Sequence, residues 1–166
     1  GCAIAVDSAG RARYRGAFGK AELEYGIPID TATIFEAGSV SKQFTAAAVL
    51  LLAARGTLSL DDPVQQWFPE IPGYPQPITL RHLMLHSSGL RDWGAVASLA
   101  GWPRGQRAHT QDDALAIIAR QRGLNHEPGA AFSYTNTGYN LLAMLVGRAS
   151  GIPFAEFTRR EFFEPL

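Results

Sequence analysis

The sequence predicts a mixed α/β (α+β) fold, with two strands at the N-terminus followed by six or seven helices. Hydrophobic residues make up 46% of the 166 residues and charged residues 18%, a composition typical of a chain that buries a core. Strand-like alternation is confined to the N-terminal residues, and six or seven helical segments follow it. Because an isolated two-stranded hairpin is barely stable in water, this chain has fewer strands than its sheet requires.

Two strands are predicted, at Ala3–Asp7 and Arg11–Phe18. A polar turn separates them, and arginines alternate with uncharged residues at the start of the second strand, the period of a half-buried strand. Residues 19–38 are predicted to form a loop.

Helix start and stop signals divide the rest of the chain. Ser39 is predicted to cap a helix over Val40–Arg55 that Gly56 ends. Residues 91–109 are predicted to be an irregular loop, and 123–129 a turn. Asp62-Pro63 is predicted to open a second helix, and Thr79 to cap a third over Leu80–His86. Thr110 and Asp113 form a predicted capping box, and the helix that it starts runs to about Arg120. The last two predicted helices are Asn136–Ser150, which Gly151 ends, and one from Pro153 to about Phe163.

Composition and missing motifs exclude several functions. Fifteen basic residues balance fifteen acidic ones, so the chain lacks the basic excess typical of nucleic-acid binding. The single cysteine, Cys2, cannot form an internal disulfide or a cysteine-based metal site. The longest apolar run, Ala46–Ala54, is nine residues, whereas a membrane span needs about 18. The sequence contains neither a phosphate-binding Gly-x-x-x-x-Gly-Lys pattern nor a Gly-x-Ser-x-Gly elbow.

Ser39 and Lys42 form a Ser-x-x-Lys pattern at the start of a predicted helix. A serine hydroxyl becomes a good nucleophile only when a neighbouring base takes its proton. A lysine serves as that base if burial and the helix dipole lower its pKa, whereas an arginine stays protonated. Thirteen of the fifteen basic residues are arginine, so a lysine at this position favours a catalytic interpretation. The alternative is that Ser39 only caps the helix and Lys42 extends into solvent.

Tyr134 and Asn136 form a second candidate pair, where another helix begins. A tyrosine near an ammonium group can share general-base work, and an asparagine amide can contact both a lysine and a substrate carbonyl. A core tyrosine and an asparagine cap are the structural alternative.

Taken together, these patterns resemble those of serine β-lactamases and penicillin-binding proteins. Phe35–Thr45 is similar to the first motif of that family, and Tyr134–Asn136 to its second motif in the form found in class C β-lactamases, D-amino-acid peptidases and related esterases. Leu80–Leu90 is similar to the segment between them. The resemblance implies a β-lactamase/transpeptidase-like fold, in which a helical lobe accompanies an incomplete antiparallel sheet flanked by helices. It also implies that Ser39 is the acylated nucleophile and that Lys42 is its proton acceptor. It further implies that Tyr134 is the acid/base partner and that Asn136 contacts the substrate and the lysine.

The resemblance carries further expectations. A third family motif, Lys-Thr-Gly or His-x-Gly on a later strand, does not occur in this sequence. We therefore expect residues 1–166 to be the N-terminal portion of one domain, with the C-terminal strands missing, and to be poorly active alone. Within it we expect N-terminal strands and a loop over 1–38, the nucleophile helix over 39–56 and the helical lobe over 57–166. The resemblance implies no cofactor and no metal, a periplasmic or secreted location, and a β-lactam, D-amino-acid peptide or ester as substrate.

Two alternatives remain open at this point. A sensor would be acylated at Ser39 without hydrolysing the adduct, or the chain is an inactive homologue of the same fold. His82 and His86 have the i, i+4 spacing of zinc ligands, but the sequence offers no glutamate between them and no evident third ligand. A role in capping a helix or in the core is the favoured interpretation of these histidines. Tyr74, Trp93 and Trp102 are predicted to lie in loops.

Overall fold

The structure, a computed structural model, describes residues 1–103 and 105–165. It divides into two compact units, Gly1–Ser39 and the chain from Val40 onward. The first unit contains strands and the second contains helices.

The first unit consists of two small antiparallel sheets. β1 (Cys2–Ser8) pairs with β2 (Arg11–Phe18), which confirms the predicted hairpin, and the register shifts between Val6 and Asp7. β3 (Lys20–Glu22) pairs with β4 (Ile27–Pro28) inside the segment predicted to be a loop, so that prediction was wrong in part. Side chains close this second hairpin: the Lys20 ammonium donates to the Gly26 carbonyl over 2.8 Å, and Glu22 accepts two backbone N–H bonds. Such side-chain to backbone bonds have no signature in apolar periodicity.

A short 3-10 turn, Gly38–Ser41, leads into the helices of the second unit. The helices are α1 (Lys42–Ala54), α2 (Val64–Trp67), α3 (Leu80–Met84), α4 (Trp93–Leu99), α5 (Gln111–Ala119), α6 (Asn136–Ser150) and α7 (Phe154–Thr158), followed by a π-helical turn, Arg159–Phe163. Among the described residues, none of these helices has both the length and the apolar character needed to cross a bilayer.

Helix α6 lies at the centre of the helical unit, where α1, α3, α4, α5 and α7 contact it. Its apolar side is fully buried at four positions: Leu141, Leu142, Leu145 and Val146. Gly138 allows α3 to approach closely, because a Cβ at that position would lie 2.9 Å from the Leu83 carbonyl oxygen. The core therefore fixes the first turn of α6, which carries Asn136, against its neighbours.

Several predicted helix ends are confirmed. Thr79 and Thr110 each form a capping box with the third residue of the helix that follows, His82 and Asp113. Helix α6 has the predicted bounds, and Gly151 ends it in the left-handed region at φ 75°.

Other predicted ends need correction. Ser39 does not cap α1: it lies in the 3-10 turn, and the N-cap residue is Ser41, which makes no side-chain cap bond. Pro63 is the N-cap of α2 and not its first residue. The segment 91–109 is not entirely a loop, because Asp92 caps α4 by accepting a hydrogen bond from the Ala95 N–H over 3.0 Å. Residue 104 of that segment lies outside the described residues.

Candidate active site

Ser39 is the last residue of the first unit, and its side chain is exposed in the 3-10 turn that precedes α1. The turn continues directly into Lys42, the first residue of α1. The predicted nucleophile and the predicted base are thus three residues apart, at the point where the backbone N–H groups of a helix start are exposed. Such a position favours negative charge nearby.

Lys42 contacts the second predicted motif directly. Its ammonium group donates a hydrogen bond to the Asn136 Oδ1 over 2.9 Å, although the two residues are 94 positions apart in sequence. Both side chains are half-buried. A hydrogen bond to a charged donor in such surroundings is stronger than a neutral one and fixes the direction of both side chains.

Two tyrosine rings also face the Lys42 ammonium. The nitrogen lies 5.0 Å from the ring centroid of Tyr134 and 5.6 Å from that of Tyr139. Both distances are within the range of cation–π attraction. Tyr134 is 50% exposed, so its side chain is accessible from solvent. Tyr139 is more buried, and its hydroxyl donates to the Met84 carbonyl over 3.2 Å; burial raises the pKa of Tyr139 above its ordinary value.

His86 packs against both of these tyrosines. Its ring centroid is 4.4 Å from that of Tyr134 and 5.0 Å from that of Tyr139, with the planes inclined by 33° and 31°. Its Nδ1 accepts a long hydrogen bond, 3.4 Å, from the Thr135 N–H. Burial, and secondarily the positive charge of Lys42, lower the pKa of His86 below its ordinary value. The ring is thus held as the neutral imidazole beside the candidate site.

The Asp92 carboxylate holds the start of α6. One oxygen caps α4, and the other accepts the Asn136 N–H over 2.7 Å and the Thr135 hydroxyl over 3.4 Å. The next residue, Thr137, accepts from the Trp93 N–H and donates to the Arg91 carbonyl. These bonds join the segment 91–93 to the first turn of α6 and so fix the backbone that carries Asn136.

A cavity of about 310 Å³ borders Tyr134. Its lining combines apolar and polar side chains from the start of α4 and from the segment before α6: Leu90, Asp92, Ala95, Val96, Asn125 and Ser133. A separate cavity of about 360 Å³ is lined by Tyr74 and Arg122 among others and includes none of the four predicted site residues.

The structure thus brings together three of the four predicted site residues, Lys42, Tyr134 and Asn136, and puts Ser39 in the turn just before Lys42. Sequence reasoning missed the contacts of His86, Asp92 and Tyr139. A signal for Asp92 was present, since aspartate directly before a run of helix formers is a common N-cap. His86 and Tyr139 have no local signal, because their contacts depend on how α3 and α6 pack.

The histidine pair at 82 and 86 has structural contacts. The His82 Nδ1 accepts from the Thr79 N–H over 3.2 Å and completes the capping box of α3, as the capping interpretation predicted. Within residues 1–103 and 105–165, no group of three or more histidine, cysteine, aspartate or glutamate side chains is arranged to hold a metal ion.

Comparison with known proteins identifies the family. A sequence profile of the Beta-lactamase family matches residues 1–166. Penicillin-binding protein 4* of Bacillus subtilis (strain 168) is 38% identical over 155 residues, which are 92% of this chain and 33% of that protein. Esterase EstB of Burkholderia gladioli is 35% identical over an alignment of 178 residues, which covers 100% of this chain and 45% of that protein. The crystal structure of D-amino acid amidase from Ochrobactrum anthropi SV3 superposes with a TM-score of 0.80 at 28% identity, covering 98% of this chain and 44% of that one.

The fold and these relatives define a class, hydrolases and penicillin-binding proteins with a β-lactamase/transpeptidase-like fold. This chain belongs to the Beta-lactamase family. The fold expected from the motifs is thereby confirmed. The chain spans between 33% and 45% of the length of the three proteins named above.

Proposed function

We propose that this chain supplies the nucleophile, base and acid/base partner of a serine hydrolase that works through an acyl-enzyme. Ser39 is the acylated nucleophile, and Lys42 accepts the Ser39 proton once its ammonium group has lost a proton and become the neutral amine. Tyr134 shares the acid/base work, and Asn136 contacts both the lysine and the substrate carbonyl. The substrate is an amide or ester: a β-lactam, a D-amino-acid peptide or a simple ester.

The observation that carries the proposal is the 2.9 Å hydrogen bond from the Lys42 ammonium to the Asn136 Oδ1, with the Tyr134 ring 5.0 Å from the same nitrogen. A lysine that only extended into solvent would not be held by an amide and faced by two aromatic rings. The arrangement supports a lysine whose position is fixed for proton transfer with the serine one helical turn earlier in the chain.

The proposed reaction has two halves. The Ser39 Oγ attacks the carbonyl carbon while its proton passes toward Lys42 and Tyr134, and the negative charge on the carbonyl oxygen is stabilised by backbone N–H groups. When the tetrahedral intermediate collapses, the C–N or C–O bond breaks and the leaving group takes up the proton that Lys42 and Tyr134 had received from Ser39. Water then attacks the acyl-enzyme with the same groups as the base, releasing the acid and restoring the Ser39 hydroxyl.

The experiment is hydrolysis of a nitrophenyl ester, a D-amino-acid anilide and nitrocefin by the full-length protein, compared with Ser39→Ala. We expect Ser39→Ala to lower kcat to about a millionth of the wild-type value, the loss that follows removal of an activated serine. Ser41→Ala is the matched control, because Ser41 lies in the same turn and makes no side-chain cap bond. The proposal fails if Ser39→Ala hydrolyses the substrate at the wild-type rate, as the Ser41→Ala control is expected to do.

A further inference from the structure

His86 occupies a backbone conformation that a helix end normally gives to glycine or asparagine. It follows α3 at φ 54°, in the left-handed region. Its carbonyl accepts the Ser133 N–H over 2.7 Å, and its Nδ1 accepts the Thr135 N–H. The backbone and the side chain of one residue thus hold the two positions that flank Tyr134. A residue needed only to end α3 would not have to supply a ring or a nitrogen acceptor.

We propose that His86 is the positioning residue of this site: as the neutral imidazole it orients Tyr134 and the segment leading to Asn136, and its protonation releases that segment. The inference rests on the proposed function, because it assigns His86 a role in the acid/base work of Tyr134 and Lys42. His86 acts by position and not as a reacting group, since its ring packs on Tyr134 and Tyr139 and its polar atoms accept from the backbone of Ser133 and Thr135.

The chemistry of the imidazole explains why protonation would have this effect. The Thr135 N–H donates to the Nδ1, so that nitrogen must keep its lone pair. A proton at Nδ1 would remove the acceptor from the Thr135 N–H. Burial and the charge of Lys42 outweigh a backbone hydrogen bond with Thr135 that favours the protonated ring, so the pKa of His86 stays below its ordinary value. Protonation would also add a positive charge beside the Lys42 ammonium, which already disfavours that charge.

The groups that face His86 come from three directions. Lys42 at the start of α1 acts on it through its charge, Tyr134 packs against it from the segment before α6, and Tyr139 packs from within α6. Asp92 acts on the adjoining positions by accepting from Thr135 and from the Asn136 N–H. Among these groups Lys42 is the cation, so its removal should ease protonation of His86.

The test is the pH dependence of kcat/KM in the full-length protein. Wild type must lose one proton from the catalytic base and one from His86, so log kcat/KM should fall with a slope of two at low pH. His86→Asn keeps an acceptor near the Nδ1 position and tolerates a positive φ, but it does not titrate. We expect its slope to remain one and its plateau to fall by about 10- to 100-fold, as for a misplaced catalytic group. His126→Asn, at a histidine that lines the separate cavity of about 360 Å³, is the control and should keep the slope of two.

A second measurement needs no catalysis. An NMR titration of the His86 ring in Ser39→Ala should give a midpoint below the ordinary value of about 6.5, matching the pH at which the wild-type slope steepens. Lys42→Met should move that midpoint upward. Identical pH profiles for wild type and His86→Asn, or an NMR midpoint that does not shift in Lys42→Met, would overturn the proposal. Absence of turnover by wild type on every substrate is a different result, since it rejects the proposed function itself.

Discussion

Asp92 links the start of α4 to the first turn of α6, which carries Asn136. Its replacement by asparagine tests how strongly this link holds the candidate site in place. One carboxylate oxygen caps α4 at the Ala95 N–H over 3.0 Å, and the other accepts the Asn136 N–H over 2.7 Å. Asparagine has nearly the same shape but only one acceptor oxygen. If that oxygen keeps the cap, an NH₂ group then faces the Asn136 N–H, and the bond becomes a clash of donors.

The expected loss of stability follows from the hydrogen bonds that the two Asp92 carboxylate oxygens accept. A hydrogen bond to a charged group contributes about 1.5–3 kcal/mol, so we expect Asp92→Asn to lower the free energy of unfolding by that amount. Asp92→Ala also removes the cap, which adds about 1 kcal/mol. The expected order of stability is therefore wild type, Asp92→Asn and then Asp92→Ala. Because the first turn of α6 carries Asn136, both variants should also lower kcat/KM.

Urea denaturation followed by circular dichroism measures these differences. Asp112→Asn is the matched control: Asp112 is an exposed acidic residue in the first turn of α5, and its replacement should change stability by no more than about 0.5 kcal/mol. The reasoning is refuted if Asp92→Asn matches the control, or if Asp92→Ala is no less stable than Asp92→Asn.

Three further predictions concern the base, the core and a capping box. Lys42→Arg keeps the positive charge but cannot accept a proton, so kcat/KM should fall by about 10²- to 10⁴-fold; a variant as active as wild type would contradict the assignment of the base. Gly138→Ala should cost about 1–3 kcal/mol of unfolding free energy, because its Cβ would lie 2.9 Å from the Leu83 carbonyl oxygen. Gly147→Ala in the same helix meets nothing closer than 3.6 Å and should be neutral or stabilising by up to about 1 kcal/mol, so equal losses in thermal melts would be evidence against the packing argument. Hydrogen bonds from Thr110 hold the pKa of Asp113 below its usual range, so this carboxylate stabilises the fold at pH values above about 4. The stability gap between wild type and Asp113→Asn should close as the pH falls below about 4. A gap that widens instead would contradict the direction of that pKa.

Local sequence signals predicted those helix ends that depend only on nearby residues. The bounds of α6 follow from apolar periodicity and from Gly151, the cap at Thr79 from its residue type, and the capping box at Thr110 from Asp113 three positions later. The helix at Trp93–Leu99 was missed because its glycine and its short length weaken the periodic signal, while Asp92 provides the cap. The second hairpin was missed because side-chain bonds from Lys20 and Glu22 close it.

In the candidate site, the residues that stand in local motifs were predictable, whereas the residues that meet only through packing were not. Ser39, Lys42, Tyr134 and Asn136 stand in two short motifs that the sequence displays directly. The stacking of His86 on Tyr134 and Tyr139 is different, because it joins residues that are 48 and 53 positions apart along the chain. Such contacts arise only when α3 packs against α6 at Gly138, and no local pattern encodes them.

The acyl-enzyme at Ser39 is the central claim, and mass spectrometry tests it most directly. The full-length protein would be incubated with a β-lactam and, separately, with an activated ester, and its intact mass followed over time beside Ser39→Ala. We predict a mass increase equal to the acyl group on wild type and on Ser41→Ala, none on Ser39→Ala, and decay of the adduct as water hydrolyses it. A stable adduct would indicate a sensor instead of a hydrolase. An adduct of equal size on Ser39→Ala, or no adduct from either probe on the folded protein, would contradict the account.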